Sequence, residues 1–202
     1  MISRKAILSL MSKGLIEVNP KPLKIGPNSI DLCLGDSLKT YHPEKGRVRV
    51  TDPVDGGQYL ALDPHSPPPL LDVPKLSGGQ WLLVPGRFYL GVTKEETFCK
   101  GVVPHLDGRS TCGRLSIEAH KTAGVGDNGF RGRWTLEIEA TEPVLVSPGD
   151  RLFQVYFSPC WGAELFDSDL EAALQLTDLY GEDGSGHHYQ GSHDLRGPSP
   201  LD

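Results

Sequence analysis

A mainly β chain, built as an antiparallel sandwich or barrel and entered through one short helix, is the fold class this sequence predicts. Three observations carry that expectation. Short segments that alternate apolar and polar residues recur along the chain, Gly- and Pro-bearing turns punctuate them, and only one stretch near the N-terminus has a clear helical period. Alternation with period two sets one face of a strand against a core, and many short strands joined by tight turns close into a sandwich or barrel.

Taking the elements in order, Ser3 is placed to cap the helix, with Ala6, Ile7, Leu10, Met11 and Leu15 on its apolar face. Gly14 and then Asn19-Pro20 end it. Strand-like segments follow at 29–34, 80–84, 87–93, 115–120, 133–140, 144–146 and 152–157, with turns at Pro85-Gly86 and Pro148-Gly149. In 133–140 the apolar face is Trp134, Leu136, Ile138 and Ala140, and Thr135, Glu137 and Glu139 take the other. Residues 53–79 hold Pro53, Pro64, Pro67, Pro68, Pro69 and Pro74, too many positions without an N–H for central strands, so an elaborated surface loop is expected there. A second helix is expected at 167–176, where Leu170, Ala173 and Leu174 fall at helical spacing behind Ser168. From Gly181 onward Gly, Ser, His and Pro dominate, which divides the chain into a domain over 1–180 and a flexible C-terminal tail over 181–202.

Composition narrows the function classes. A chain of 202 residues can bury the core of one large domain. Its formal net charge of −6 supplies no basic field for polymeric nucleic acid, so a small anionic ligand would need a local cluster of arginines. No apolar run approaches the ~20 residues that span a membrane. The opening MISRKAILSLMSKGL lacks the apolar core and cleavage site of a secretory signal, and a cytoplasmic location is the expectation. Cys33, Cys99, Cys112 and Cys160 are far apart with no C-x-x-C pair, as ordinary reduced thiols are. His42, His65, His105 and His193 have no partner at readable spacing and read as surface or loop histidines.

Reactive groups concentrate between 107 and 137, in DGRSTCGRLSIEAHKTAGVGDNGFRGRWTLE. Arg109, Ser110 and Arg114 stand around Gly108 and Gly113, where bare backbone can approach a phosphate and guanidinium forks can neutralise it. Asp127-Asn128-Gly129 is a turn signal, and beyond it Glu137 and Glu139 share a strand face on which a carboxylate can meet what the arginines hold. The plainer reading makes the arginines solvated turn residues and the two glutamates an exposed strand face.

Three separated stretches resemble the dCTP deaminases, relatives of the trimeric dUTPases. Residues 25–35, IGPNSIDLCLG, are similar to the family's I-x-P-x-S-I-D-L-x-L-G segment. The central run is similar to its G-R-S-S-x-x-R-L, H-x-T-A-G and D-x-G-F-x-G-x-x-T-L-E motifs. Tyr180, His188-Tyr189-Gln190-Gly191 and Gly197-Pro198-Ser199-Pro200 are similar to the tail that covers its triphosphate. G-R-S alone recurs by chance, whereas several independent spacings coincide here.

The resemblance implies a distorted jelly roll or β-barrel of the dUTPase-like type, a homotrimer with sites shared between subunits, and dCTP as the small-molecule partner. Deamination of cytosine needs water at C4, a proton at N3 and departure of ammonia, so one group must take and give protons in turn. The resemblance assigns that work to Glu137; Glu139 is the alternative on the same face and otherwise reads as a solvated carboxylate. It gives Ser110 and the carbonyl of Ala123 the task of holding the water, and sets Arg114 beside them as a cation. Arg109, Ser110, Thr111, Cys112, Gly113, Arg114, Thr135, Leu136 and Glu137 then line the nucleotide. Tyr180, His188 and Ser192 contribute from the tail, where His188 replaces a usual lysine and Ser192 a usual glutamine. Asp127 meets the sugar 3'-hydroxyl or, as in dUTPases, serves as base for water attacking phosphate.

Zinc deaminases offer rival chemistry through H-x-E and P-C-x-x-C. His42-Pro43-Glu44 and Pro159-Cys160 fit fragments of that pattern, but Ala163 stands where its second cysteine belongs, so no zinc is expected and Mg²⁺ arrives on the triphosphate. The leading expectation is conversion of dCTP to dUTP with release of ammonia. The alternative is a bifunctional deaminase and diphosphohydrolase that forms dUMP and pyrophosphate, and a dUTPase alone or a non-catalytic nucleotide-binding regulator stay open beside it. Gly124, small after Ala123, is expected to leave room near the α-phosphate and favours the bifunctional reading. Gly126, in place of a customary isoleucine, is expected to loosen the turn that aims Asp127.

Overall fold

The computed structural model describes residues 1–160. The helix expected at 167–176, the tail from Gly181, and with them His193 and the site residues Tyr180, His188 and Ser192, lie outside the described residues. Ser3 opens α1 (Arg4–Ser12) as expected, its hydroxyl accepting the Ala6 N–H at 3.4 Å, and Ile7 is fully buried. Among the described residues no helix is long and apolar enough to cross a membrane.

Strands make up most of the rest: β1 (Ile16–Asn19), β2 (Ser29–Leu32), β3 (Leu34–Tyr41), β4 (Arg47–Thr51), β5 (Gln58–Leu62), β6 (Leu70–Asp72) and β7 (Trp81–Leu83). After them come β8 (Tyr89–Cys99), β9 (Val102–Gly108), β10 (Ile117–Glu118), β11 (Arg131–Ala140), β12 (Val144–Val146) and β13 (Phe153–Pro159), with a five-residue helix α2 (Ser110–Arg114) between β9 and β10. β8 is the spine of the larger sheet. β11 runs antiparallel along one edge of it, while β3 and then β1 share the other. β10 extends the sheet beyond β11, and β6 extends it beyond β3. In a second sheet β13 lies between β2 and β9, antiparallel to both.

The inward residues of both sheets meet in one core, including Ile30 and Leu32 of β2, Leu136 and Ile138 of β11, and Phe153, Val155 and Phe157 of β13. Burying each such side chain contributes about 1.5–3 kcal/mol. β11 alternates as the sequence predicts, with Trp134, Leu136, Ile138 and Ala140 inside and Thr135, Glu137 and Glu139 half-buried on the other face.

Some expectations are corrected. The proline-rich stretch 53–79 contains β5 and β6; among the described residues β5 pairs with β4 alone in an exposed hairpin and β6 is a sheet edge, so proline limited where strands lie rather than whether they form. The strand expected over 115–120 shrinks to β10, because Leu115 closes α2 and Ser116 takes a left-handed backbone (φ 59°) that interrupts an extended run. His105 is no loop residue. It lies on β9, which Pro104 disguised, and stacks on Tyr156 with ring centroids 4.9 Å apart.

Candidate active site

β9 delivers the chain to α2, where Ser110, Thr111, Gly113 and Arg114 are exposed. Cys112 turns inward instead. Its thiol donates to the Leu152 carbonyl at 2.9 Å and burial pushes its pKa up to about 11, so only its backbone is available to a ligand. The two arginines are held differently. The Arg109 backbone N–H donates to Leu152, its Nη1 donates to the Arg151 carbonyl at 2.8 Å, and its Nε lies 3.3 Å from Asp31 Oδ2. Arg114 forms no ion pair among the described residues. Beside α2 opens a cleft of about 360 Å³ lined by Asp107, Arg109, Ser110, Glu118 and His120.

On β11 the Glu137 carboxylate faces outward, and its Oε2 accepts the backbone N–H groups of Lys121 at 2.9 Å and Thr122 at 3.4 Å. Those two donors fix the carboxylate's direction and leave Oε1 without a partner among the described residues. Glu139 is not simply solvated, as the sequence suggested, because it is ion-paired to Lys121. The same ammonium lies 2.7 Å from Glu118, and the hydrogen bonds to Glu118 and Glu139 raise the lysine's pKa. Lysine therefore compensates Glu139 and leaves Glu137 to the backbone. Leu136 needs correction as a ligand contact: its side chain is wholly in the core, and its backbone is paired with Gly91 of β8.

The segment carrying Ala123 and Asp127 is zipped along the free edge of β9. Leu106 N–H donates to the Gly124 carbonyl at 2.7 Å, and Gly126 N–H donates to Pro104 at 2.9 Å. His120 Nε2 donates to the Leu106 carbonyl at 2.7 Å, which sets its tautomer and lays the ring over Gly124. A Cβ on Gly124 would stand 2.4 Å from His120 Cε1. The space beside Gly124 is thus filled by imidazole, not left open for phosphate. At Gly126 a Cβ would stand 2.5 Å from Trp134 Cη2. The expected loosening does not occur, since the backbone there is hydrogen-bonded and Trp134 occupies the volume a side chain would take. Asp127 and Ala123 are exposed at the two ends of this zipped stretch.

The structure therefore gathers Ser110, Thr111 and Arg114 on one element, and Thr135, Glu137 and the Ala123 loop on another. Among the described residues, no hydrogen bond or ion pair joins Ser110 or Arg114 to Glu137 within one chain. Sequence reasoning missed Asp31, Lys121 and Arg151 as charged partners of these groups. Only Asp31 carried a signal, as the polar member of SIDL between two core residues. The zinc-like fragment at His42 is a turn, in which Nδ1 accepts the N–H groups of Glu44 and Lys45 at 3.1 and 2.9 Å.

The chain is similar to known proteins over most of its length. The chain is 37% identical over 161 residues to a Clostridium beijerinckii protein named "dCTP deaminase, dUMP-forming", covering 80% of this chain and 83% of that one. It is 36% identical over 157 residues to a Leptospira biflexa protein of the same name, covering 77% and 80%. Its fold is shared with the crystal structure of 2'-deoxycytidine 5'-triphosphate deaminase from Agrobacterium tumefaciens, with a TM-score of 0.53 and 20% identity over 83% of this chain and 51% of that one. The mainly β architecture expected from the motifs is thus one that a solved deaminase also adopts. Because residues 1–160, all of the described structure, also match the family described as dCTP deaminase-like, the chain belongs to that family.

Proposed function

We propose that the protein deaminates dCTP and carries the product on to dUMP and pyrophosphate. The observation that carries the first step is Glu137, held by two backbone N–H groups with one carboxylate oxygen left over, while its neighbour Glu139 is taken up by Lys121. Glu137 takes a proton from the water that adds at C4 and passes it to the ring nitrogen N3; it then moves the proton of the new C4 hydroxyl to the exocyclic amino group, whose bond to C4 breaks as the C4 carbonyl forms, and ammonia leaves. Ser110 and the Ala123 carbonyl hold the water, and Arg114 sets a positive charge beside the reacting carboxylate. Arg109, Thr111, Thr135 and the backbone at Cys112 and Gly113 hold the nucleotide, with Tyr180, His188 and Ser192 assigned to it by resemblance alone.

The second step adds water to the α-phosphate and expels pyrophosphate, with Asp127 as base. The names of the relatives support this ending over release of dUTP, the product the motifs alone put first. Mg²⁺ belongs to the triphosphate in this reading. Among the described residues no three His, Cys, Asp or Glu side chains converge on a metal position, so phosphate oxygens and water would supply its ligands, and when bound it offsets phosphate charge. That no hydrogen bond or ion pair joins Ser110 or Arg114 to Glu137 among the described residues supports a homotrimer in which α2 of one copy completes the site of its neighbour.

The test is incubation with dCTP and Mg²⁺, scoring ammonia, pyrophosphate and the nucleotide separately at early times. Ammonia, pyrophosphate and dUMP in equal amounts without free dUTP is the expected result. dUTP as the sole nucleotide product would remove the second step, and no ammonia would remove the whole reading.

A further inference from the structure

We propose that Asp31 is a positioning residue for the triphosphate: it binds the inner edges of Arg109 and Arg151 and so turns their outer edges toward phosphate. The inference rests on the reading above that Arg109 meets the nucleotide. Asp31 sits on β2 between Ile30 and Leu32, both wholly in the core, so its own side chain points to the opposite face of the sheet. Even there it is only 5% exposed. A carboxylate so placed is tolerated only when opposite charge compensates it.

The compensation comes from two guanidinium groups at once. Arg109 Nε and Arg151 Nε lie 3.3 and 3.2 Å from the same oxygen, Oδ2. Neither N–H is aligned with that oxygen well enough to count as a hydrogen bond, so the contact is a compact charge cluster rather than a bidentate fork. Arg109 Nη1 is spent on the Arg151 carbonyl, which leaves its Nη2, and both terminal nitrogens of Arg151, without an acceptor among the described residues. The cluster of Asp31, Arg109 and Arg151 carries one negative and two positive charges.

A second strut fixes the same turn. Ser29 Oγ donates to Gln154 Oε1 at 3.1 Å, and Gln154 Nε2 donates to the Gly108 carbonyl at 3.2 Å. Asp31, Gln154 and Asp107 are opposite one another across β2, β13 and β9, so both struts run along neighbouring rungs of one sheet. The SIDL segment thus braces the start of α2 from beneath.

Asp31→Asn separates positioning from simple charge, because the two effects have opposite signs. Removing the carboxylate makes the cluster more positive, and if field alone mattered dCTP would bind more tightly. If Asp31 positions the arginines, the loosened pair serves the triphosphate worse: KM for dCTP rises about ten-fold, kcat stays within about two-fold, and inhibition by dCMP, which lacks the outer phosphates, is unchanged. Should Asp31→Asn not fold, Asp31→Glu keeps the charge but moves the carboxylate by one methylene, and the same rise in KM for dCTP with unchanged inhibition by dCMP is expected. An unchanged or lower KM for dCTP overturns the proposal, and so does a parallel weakening of dCMP, which would mark a merely structural role. A wild-type protein that releases no ammonia from dCTP overturns the reading of the site itself, a result distinct from an active wild type with an unaffected variant.

Discussion

On β11, Glu137 is gripped by the Lys121 and Thr122 amides beside an ion-paired Glu139, whereas on α2 Ser110, Thr111 and Arg114 stand exposed and Arg114 has no ion pair among the described residues. Both elements are anchored from below, by Leu136 and Cys112 respectively, so the difference is not one of folding. It is a difference in what each surface still lacks. Among the described residues the β11 carboxylates are held by backbone amides and Lys121, and the α2 half presents donors and a cation that meet no carboxylate. A site assembled between copies asks for that division, because each copy can fold its own half before the halves meet.

The strongest test removes the finished half. Glu137→Gln keeps the shape of the side chain but cannot shuttle a proton, and kcat for ammonia release should fall by about 10²–10⁴ while dCTP binding by calorimetry changes little. Substantial ammonia release by this variant would take Glu137 out of the mechanism. Mixing subunits then tests the division directly. Arg114→Ala and Glu137→Gln homotrimers should each be nearly inactive, and after unfolding and joint refolding of equal amounts about one quarter of all sites, one in each heterotrimer, should pair two intact halves. Mixed trimers that form, as shown by mass spectrometry, yet recover no activity would mean that both halves act within one copy.

A smaller effect is expected where the Ala123 loop joins the two. Gly124→Ala sets a methyl group against the His120 ring and the Leu106 carbonyl, 3.0 Å from the latter, and should cost about 1–3 kcal/mol in denaturant unfolding. Gly126→Ala meets the Trp134 ring and should cost a similar amount. Trp134→Phe should recover part of that loss, since the pair is coupled through one shared volume. If Gly126→Ala alone is neutral, Trp134 does not set the course of the loop, and the aim of Asp127 depends on something else.

These glycines also show where the sequence was legible and where it was not. Alternation along β11 and the cap at Ser3 could be read because each depends on neighbours within a few residues. The motifs singled out Glu137, Ser110 and Arg114 as candidates through equally local spacings. What Gly124 and Gly126 are for could not be read, because the answer lies in His120 and Trp134, which come near only after the loop has zipped onto β9. Asp31 is a similar case: its partners stand far along the chain at Arg109 and Arg151, and no local pattern announces a charge shared across a sheet. β9 itself was hidden by Pro104, whose missing N–H argues against a central strand but not against the edge position it holds in its sheet.

The smallest effect sharpens the opening contrast by asking whether the exposed half is nonetheless rigid. Cys112 lies on the inner side of α2, and burial raises its pKa from 9.0 to about 11. At pH 8 its thiolate fraction should be about a hundred-fold below that of an unperturbed thiol, and alkylation by iodoacetamide should be slower by at least that factor in the native protein than in urea. The sign of the pH dependence follows from the same shift. A thiol that holds its proton more tightly when folded contributes stability below about pH 9, and that contribution is lost as pH rises toward 11, so the melting temperature should fall across that interval. Cys33, raised to about 11, and Cys99, raised to about 12, act in the same direction. Peptide mapping after a short pulse of reagent separates the sites. If Cys112 reacts in native protein as fast as in urea, α2 is not a preformed surface awaiting a partner but a segment that folds only on assembly, and the two halves differ in order as well as in partners.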